Sequence, residues 1–413
     1  MERNQQVTGS SEPDSAPMPE VSSAPLLSIG LAVYNGAEYL RGSIDSLLTQ
    51  DVESLELIIS DNASNDDTES ICREYAGRDD RVRYARNETN IGAAGNFNRV
   101  FELSRGRYFM WGSDDDLWDP QFARLCIEKL ERSPRAVMCT SQVILIDSAG
   151  EVVTDVTYEA VDTEGMSVDR RVFEMTRQAA WFDTYSVIRP SALRATQMLL
   201  PTYGMDVRLQ LELLLQGDSL VVPQKLRAYR LPSVGKTAAE YVAEIDSTNA
   251  DAERDEELRT PFTYMAKELV KVVRDSELDR DIVGRIENDL VETLTLVNTR
   301  WGGFILEESG FDADRMPSSS ARRAVFRAAL GVGTAMEVLE PPTSPWRPLE
   351  GMRLSAIRKT LLRLLRPFTD RQDELDTQFA DSIELLSWEA DWLHRRVRDL
   401  ERPTTRQDGP GQQ

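Results

Sequence analysis

From residue 26 to residue 146 the apolar and polar positions fall into short blocks whose period changes in turn. Residues 26–34 form a short apolar run that reads as a strand, and 38–50 carry a helical pattern. Residues 55–60 read as the next strand and 68–75 as a short helix. Residues 82–85 read as a third strand, 93–104 as a third helix, 107–111 as a fourth strand, 120–132 as a fourth helix and 136–146 as a fifth strand. Alternation of strand and helix predicts an α/β fold with a mostly parallel, doubly wound sheet covered on both faces. Residues 147–180 are polar with no clear period, and 181–229 are mixed, except for a helix over 206–216 stopped by Gly217.

Beyond Ser233 the pattern becomes helical, with acids on the polar faces through residue 300. Pro341, Pro342, Pro345 and Pro348 mark a linker. Leu354, Ile357, Leu361, Leu365 and Phe368 then lie on one helical stripe edged by Arg353, Arg358, Lys359, Arg363 and Arg366, with Pro367 to end or kink it. Leu375, Phe379, Ile383, Leu386, Leu393, Val397 and Leu400 form a second, roughly heptad stripe. The expected organisation is a disordered segment 1–25, an α/β domain 26–236, a helical region 237–340, a Pro-rich linker 341–350, amphipathic helices 351–402 and a disordered tail 403–413. Heptad-like stripes imply helix pairing, within the subunit or in a homo-oligomer. The alternative for the basic stripe is peripheral contact with an anionic membrane.

Composition narrows the function. Among 413 residues, 70 Asp and Glu against 48 Lys and Arg give a formal net charge of −22, which argues against nucleic acid as a partner. The three cysteines have no metal-ligand spacing and read as buried thiols in a reducing compartment. No secretory apolar segment and no run of 18 apolar residues is present, so a cytoplasmic location is expected, with any membrane contact at the inner face. A single histidine, His394, rules out Ser-His-Asp hydrolysis and His-rich zinc sites.

In an open α/β sheet, ligands bind outside the carboxyl ends of the strands. Polar residues gather there: Tyr34-Asn35-Gly36 after the first strand, Asp61-Asn62 after the second, Asn87 and Asn90-Ile91-Gly92 after the third, and Asp114-Asp115-Asp116 after the fourth. Crowded carboxylates raise one another's pKa unless a cation lies among them, and a hard divalent ion shared with substrate phosphates is the usual resolution. The bland alternatives are a solvated loop for the cluster and an Asx-turn for Asp61. Asp66 and Asp119 read as helix caps, Asp66 with Glu69 at capping-box spacing and Asp119 before Pro120.

Four stretches together resemble inverting family 2 glycosyltransferases of the GT-A fold. They are Leu27-Ser-Ile-Gly-Leu-Ala-Val-Tyr-Asn-Gly-Ala-Glu-Tyr-Leu40, Leu57-Ile-Ile-Ser-Asp-Asn-Ala-Ser-Asn-Asp-Asp-Thr68, Asn90-Ile-Gly-Ala-Ala-Gly-Asn-Phe-Asn98 and Ser113-Asp114-Asp115-Asp116. The resemblance covers residues 26 to about 150, extends more weakly over 181–235 and does not reach beyond 240.

It implies that Val33, Tyr34 and Asn35 line the nucleotide base, that Asp61 accepts from the base imide, and that Asn90, Gly92 and Asn96 lie by the ribose or donor sugar. Asp115 would bind Mg2+ or Mn2+, and Asp116 would lie near the donor sugar or the metal. Ser113 stands where the family's first acid usually is, so Asp114 is the substitute and the acid that touches ribose is left open. Asp206, in Gly204-Met205-Asp206, matches the family's catalytic base, although Met205 replaces a Glu; the alternative is an ordinary N-cap. A helix N-terminus is expected to lower its pKa. Arg230 or Lys236 would serve the diphosphate in place of a missing His.

The implied activity is metal-dependent, inverting transfer from a nucleotide-diphosphate sugar to a hydroxyl of a glycan, lipid-linked or cell-envelope polysaccharide acceptor. The alternatives are a non-catalytic nucleotide-sugar-binding scaffold assembled through its terminal helices, and a sugar nucleotidyltransferase. The latter needs a Gly- and Arg-rich loop with a Lys after the first strand, and residues 33–39 have none.

Overall fold

A computed structural model of the chain describes residues 24–153, 159–178, 181–231, 259–293, 299–309 and 319–332. The expected terminal helices 351–402, Lys236 and His394 lie outside these residues, as does the expected boundary at 236/237. Among the described residues, no helix is long and apolar enough to cross a membrane.

Eight strands form one sheet: β1 Leu27–Val33, β2 Leu55–Asp61, β3 Val82–Arg86, β4 Tyr108–Gly112, β5 Leu117–Trp118, β6 Ala136–Ile146, β7 Val187–Ile188 and β8 Asp218–Arg230, in the order β3-β2-β1-β4-β7-β6-β8-β5. β1 pairs in parallel with β2 and β4, β2 with β3, and β6 with β8. The two-residue strand β7 runs antiparallel to both β4 and β6, so β6 and β8 point the same way as β1–β4. The carboxyl ends of the six longer strands therefore share one edge. β5 follows the acidic loop and runs back antiparallel on β8, pairing Leu117 with Ala228 and Trp118 with Arg227.

Alternation along the strands builds a core on each face. Leu27, Ile29, Leu31 and Val33 of β1 and Tyr108 and Met110 of β4 pack with α1 (Leu40–Leu48), α2 (Thr68–Arg78) and α4 (Phe122–Arg132). Phe109 and Trp111 point the other way, edge to face at 5.0 Å, against α3 (Gly92–Glu102). This second core continues through α6 (Pro190–Arg194) into α7 (Met205–Gln216).

Besides the two-residue strands β5 and β7, two longer elements depart from the expected pattern. Residues 147–180, read as irregular, contain α5 (Val168–Gln178). Its period is masked because Arg171, Glu174 and Thr176 are buried beside Val172 and Phe173. Arg171 is satisfied by Asp218 at 3.0 Å and by the carbonyls of Leu214 and Met166. β8 was hidden by Pro223-Gln224-Lys225: its register on β6 jumps from Ser141↔Val222 to Gln142↔Lys225, and a bulge is one of the few places where a strand tolerates proline.

The helices after residue 259 share the second core. Met265, Leu269 and Val273 of the Pro261–Asp275 helix pack with Val207 and Leu211 of α7. The Glu308 carboxylate accepts from Phe262 N at 2.9 Å and Thr263 N at 2.7 Å, satisfying the first turn of that helix.

Candidate active site

The turn after β1 is built by its neighbours. Asn35 adopts φ 53°, a left-handed conformation that Asn tolerates better than most residues. Its N–H donates to Ser64 Oγ at 2.9 Å, and its Oδ1 accepts from Asn65 N at 2.8 Å. Asp66 accepts from Ala37 N at 3.1 Å and Thr68 N at 3.0 Å, so it joins the start of α2 to this turn. Asp119 accepts from Gln121 N at 2.9 Å ahead of α4. Neither is the N-cap expected from its spacing: Asp67 and Gln121 occupy the cap positions, and Asp66 and Asp119 act one and two residues earlier through Asx-type contacts. Tyr34 is 46% exposed on the rim, whereas the Val33 side chain is buried and presents no surface to a base.

Asp61 is fully buried. Its Oδ1 accepts from Ser64 N at 2.9 Å, and its Oδ2 accepts from the Tyr84 hydroxyl at 2.9 Å and from the Arg86 guanidinium. Burial pushes this carboxyl up, but the donors from Ser64, Tyr84 and Arg86 outweigh it and hold it below the ordinary carboxylate value. The direct base contact expected of Asp61 has no exposed surface to form on in this geometry.

An amide network fills the space between β1, β2 and α3. Asn62 Nδ2 donates to Asn90 Oδ1 at 2.7 Å and Gly92 O at 3.1 Å, while its Oδ1 accepts from Asn87 Nδ2 and Ile91 N, both at 2.9 Å. Asn96 Nδ2 donates to Ser60 O at 2.8 Å, and its Oδ1 accepts from Ser60 Oγ and Asn87 Nδ2. Asn96 is 2% exposed. It therefore clips α3 to the sheet instead of facing a sugar. Asn90 stays half-buried at the edge, accepting from Gly92 N at 2.8 Å.

The acidic loop sits where β1, β4 and β8 end. Asp114 is half-buried and lies so close to Gly36 that a side chain there would meet its carboxylate. Burial, then repulsion from Asp115, Asp116 and Asp66, pushes its carboxyl to about 7. The Ser113 hydroxyl donates to Asp115 Oδ1, and the Ser43 hydroxyl donates to Ser113 O. Asp116 is fully buried, and its Oδ1 accepts from Arg230 N at 2.9 Å. Burial raises Asp116 to about 7 against the opposing charge of the buried Arg227. Its Oδ2 is buried without a hydrogen-bond partner.

Arg230 is committed elsewhere than expected. Its Nε donates to Asp115 O at 3.0 Å, its Nη1 donates to Asp147 O at 2.7 Å and Ser148 O at 3.2 Å, and the guanidinium lies 4.3 Å from the Tyr39 ring centre. It ties the acidic loop to the turn after β6 and stands behind the acids instead of offering its charge to a diphosphate. Arg227, also behind Asp116, was not singled out from the sequence. Its signal would have been a cation next to β5 in a strand that was not recognised.

Asp206 occupies the first turn of α7, with Gly204 at φ 72° as the cap residue, so it is not itself the N-cap. Its Oδ1 accepts from Val207 N at 2.9 Å. The expected downward shift is reversed: burial raises the carboxyl to about 6 and outweighs the helix N–H groups that lower it. A half-buried carboxyl in this range can accept a proton near neutrality.

The carboxylates suit a hard cation. Asp114 and Asp115 are half-buried, Asp114 is crowded by like charges, and an oxygen of Asp116 lacks a donor. Among the described residues, no three acidic, histidine or cysteine side chains converge on one point. An ion held here would complete its shell with water and substrate phosphate, as Mg2+ commonly does.

Residues 28–180 match the model of glycosyl transferase family 2. An uncharacterized glycosyltransferase of Rickettsia prowazekii is 35% identical over 124 residues, which cover 29% of this chain and 38% of the relative. An uncharacterized glycosyltransferase of Methanocaldococcus jannaschii is 30% identical over 133 residues, 32% of this chain and 46% of the relative. The chain thus spans less than half the length of either relative. The crystal structure of S. aureus TarS 1–349 in complex with UDP-GlcNAc superposes with a TM-score of 0.52 over 74% of this chain and 89% of TarS 1–349, at 13% identity. At that identity the likeness is one of fold, and it agrees with the GT-A architecture expected from the sequence.

Proposed function

We propose that the chain is a metal-dependent glycosyltransferase that moves a sugar from a nucleotide-diphosphate donor to a hydroxyl acceptor with inversion. The observation that carries this reading is the crowded pair Asp114 and Asp115. They are half-buried at the strand edge where α/β sheets bind ligands, and burial, then its acidic neighbours, pushes Asp114 to about 7. The family 2 match over residues 28–180 and the glycosyltransferase relatives give the chemistry its direction.

In this reading Tyr34 and Asn35 flank the base, and Asn90 and Gly92 face the ribose or donor sugar. Asp115, oriented by Ser113, and Asp114 hold Mg2+ or Mn2+. The ion supplies Lewis-acid stabilisation of the diphosphate leaving group. Asp116, Asp61, Asn96 and Arg230 support the site from behind, each bound to the groups that fix its loops. Asp206 Oδ takes the proton of the acceptor hydroxyl as it attacks the anomeric carbon from the face opposite the leaving group. The acceptor is a glycan or lipid-linked saccharide.

The reading is tested by offering UDP-, dTDP- and GDP-sugars with Mn2+ and following release of the nucleoside diphosphate. One donor class should be turned over only with metal. Absence of metal-dependent binding or turnover across the panel would contradict it.

A further inference from the structure

We propose that Asn98 is a positioning residue that sets the place of Asp206 by clamping the loop before α7 to α3. The proposal rests on the reading of Asp206 as the base. Asn98 Nδ2 donates to Leu199 O at 2.8 Å, and Asn98 Oδ1 accepts from Leu199 N at 3.2 Å. One side-chain amide thus satisfies both backbone groups of a residue 101 positions further along the chain. Pairing of this two-point kind fixes orientation as well as distance.

The clamp connects α3 to the segment that leads into α7. α3 begins at Gly92, beside Asn90, and Asn96 on the same helix is hydrogen-bonded to Ser60. The helix that carries the expected donor-side residues is therefore locked to the sheet at one point and to the loop leading to Asp206 at the next.

The loop itself is held against its own preference. Met198, next to Leu199, adopts φ 59°, a left-handed conformation unfavourable for a side chain with a Cβ. Its N–H is kept by Thr196 Oγ1 at 3.0 Å, and Leu199 is 2% exposed. At the far end Gly204 abuts Met265, and Tyr203 meets Phe262 edge to face at 5.1 Å. Strained backbone persists where surrounding contacts over-determine it, which is common at functional sites. Asn98 holds one end of this span and the Pro261–Asp275 helix the other. Loss of Asn98 cuts the tie from Leu199 to α3, while Gln197 stays bonded to Glu212 and Arg208 of α7 and α7 stays packed through Val207 and Leu211.

The test is a double-mutant cycle on Mn2+-dependent donor hydrolysis, using the best sugar nucleotide of a UDP-, dTDP- and GDP-sugar panel with water as acceptor. Asn98→Ala should lower kcat roughly tenfold to a hundredfold, as small misplacements of catalytic groups do, with donor KM changed less than about twofold. Asn98→Asp keeps the shape and the acceptor for Leu199 N but turns a carboxylate oxygen toward Leu199 O, so it should show the same split. Asp206→Asn should lower kcat at least about a hundredfold. Adding Asn98→Ala to Asp206→Asn should cost little more, because residues acting through one group are not additive. Wild-type kcat in both Asn98 variants, or an Asn98 loss repeated in full on the Asp206→Asn background, would overturn the proposal. Near-wild-type turnover by Asp206→Asn would instead remove the base reading, and the proposal with it.

Discussion

The backbone N–H of Arg230 donates to Asp116 Oδ1 at 2.9 Å, across 114 positions of sequence. The same residue holds the Asp115 carbonyl through its Nε at 3.0 Å. The last residue of β8 therefore sets the height of the acidic loop that follows β4. Arg230→Ala should weaken Mn2+ binding by about tenfold, the usual size of an outer-shell effect. Electron paramagnetic resonance of free Mn2+ measures this directly, and unchanged affinity would show that the loop holds its shape without the guanidinium.

Ser113 stands where an acid was expected, and its hydroxyl donates to Asp115. The substitution removes a charge from a crowded loop and supplies a donor that fixes the carboxylate. Ser113→Ala should therefore reduce Mn2+ affinity by roughly tenfold without unfolding the protein. Ser113→Asp should not restore it, since a fourth carboxylate would add repulsion to an Asp114 already raised to about 7.

Acidity should show in both rate and stability. Asp206, at about 6, is protonated below that pH and ionised above it, so kcat/KM should climb up to about pH 6 and then level off. Asp114 and Asp116, both near 7, bind protons in the folded state that the unfolded chain has already released. Their contribution to stability is full below the ordinary carboxylate pKa and is lost as pH rises through 7. Asp61 and Glu56 shift downward, each because its hydrogen-bond donors outweigh burial, so their effect falls at more acidic pH. Mn2+ should replace the lost protons and raise Tm more at pH 8 than at pH 5.5. Equal shifts at the two pH values would contradict the assignment.

The Asn62 side chain makes four hydrogen bonds, to Asn90, Gly92, Asn87 and Ile91. Asn62→Ala would strand several of these groups in a buried setting, at a cost of about 2–3 kcal/mol. Urea denaturation should show a lower midpoint with an unchanged m-value. A loss below about 0.5 kcal/mol, the range of ordinary surface substitutions, would mean that water replaces the amide without penalty.

The first four parallel strands were legible because each is a compact apolar block, set off by helices with one buried stripe. β8 was not, because Pro223 and its exposed neighbours interrupt the run at a bulge on β6. α5 was not, because Arg171 and Glu174 are buried on it, and Arg171 finds its partner Asp218 far away in sequence. Within the site, the acidic loop and the asparagines at the strand ends could be read from their positions. The local argument failed for Asp206, where a helix N-terminus predicts a lowered pKa and burial by tertiary packing reverses it. Arg230 and Asn96 are expected from the resemblance to face the donor, but in the folded chain their polar groups hold the loop after β6 and the α3–sheet contact from behind. The Asn98–Leu199 pair has no local signature at all, since it depends on how α3 and the loop before α7 meet.

In the proposed site Asp115 would hold the divalent ion that meets the donor diphosphate. Calorimetric titration of UDP, dTDP and GDP into wild-type protein and Asp115→Asn, with and without Mn2+, tests it most directly. The wild type should bind one nucleotide at least about tenfold more tightly with Mn2+, and Asp115→Asn should keep the metal-free affinity while losing that gain. Equal wild-type affinity with and without Mn2+ for all three nucleotides, or a full metal-dependent gain in Asp115→Asn, would contradict metal-mediated donor binding at Asp115.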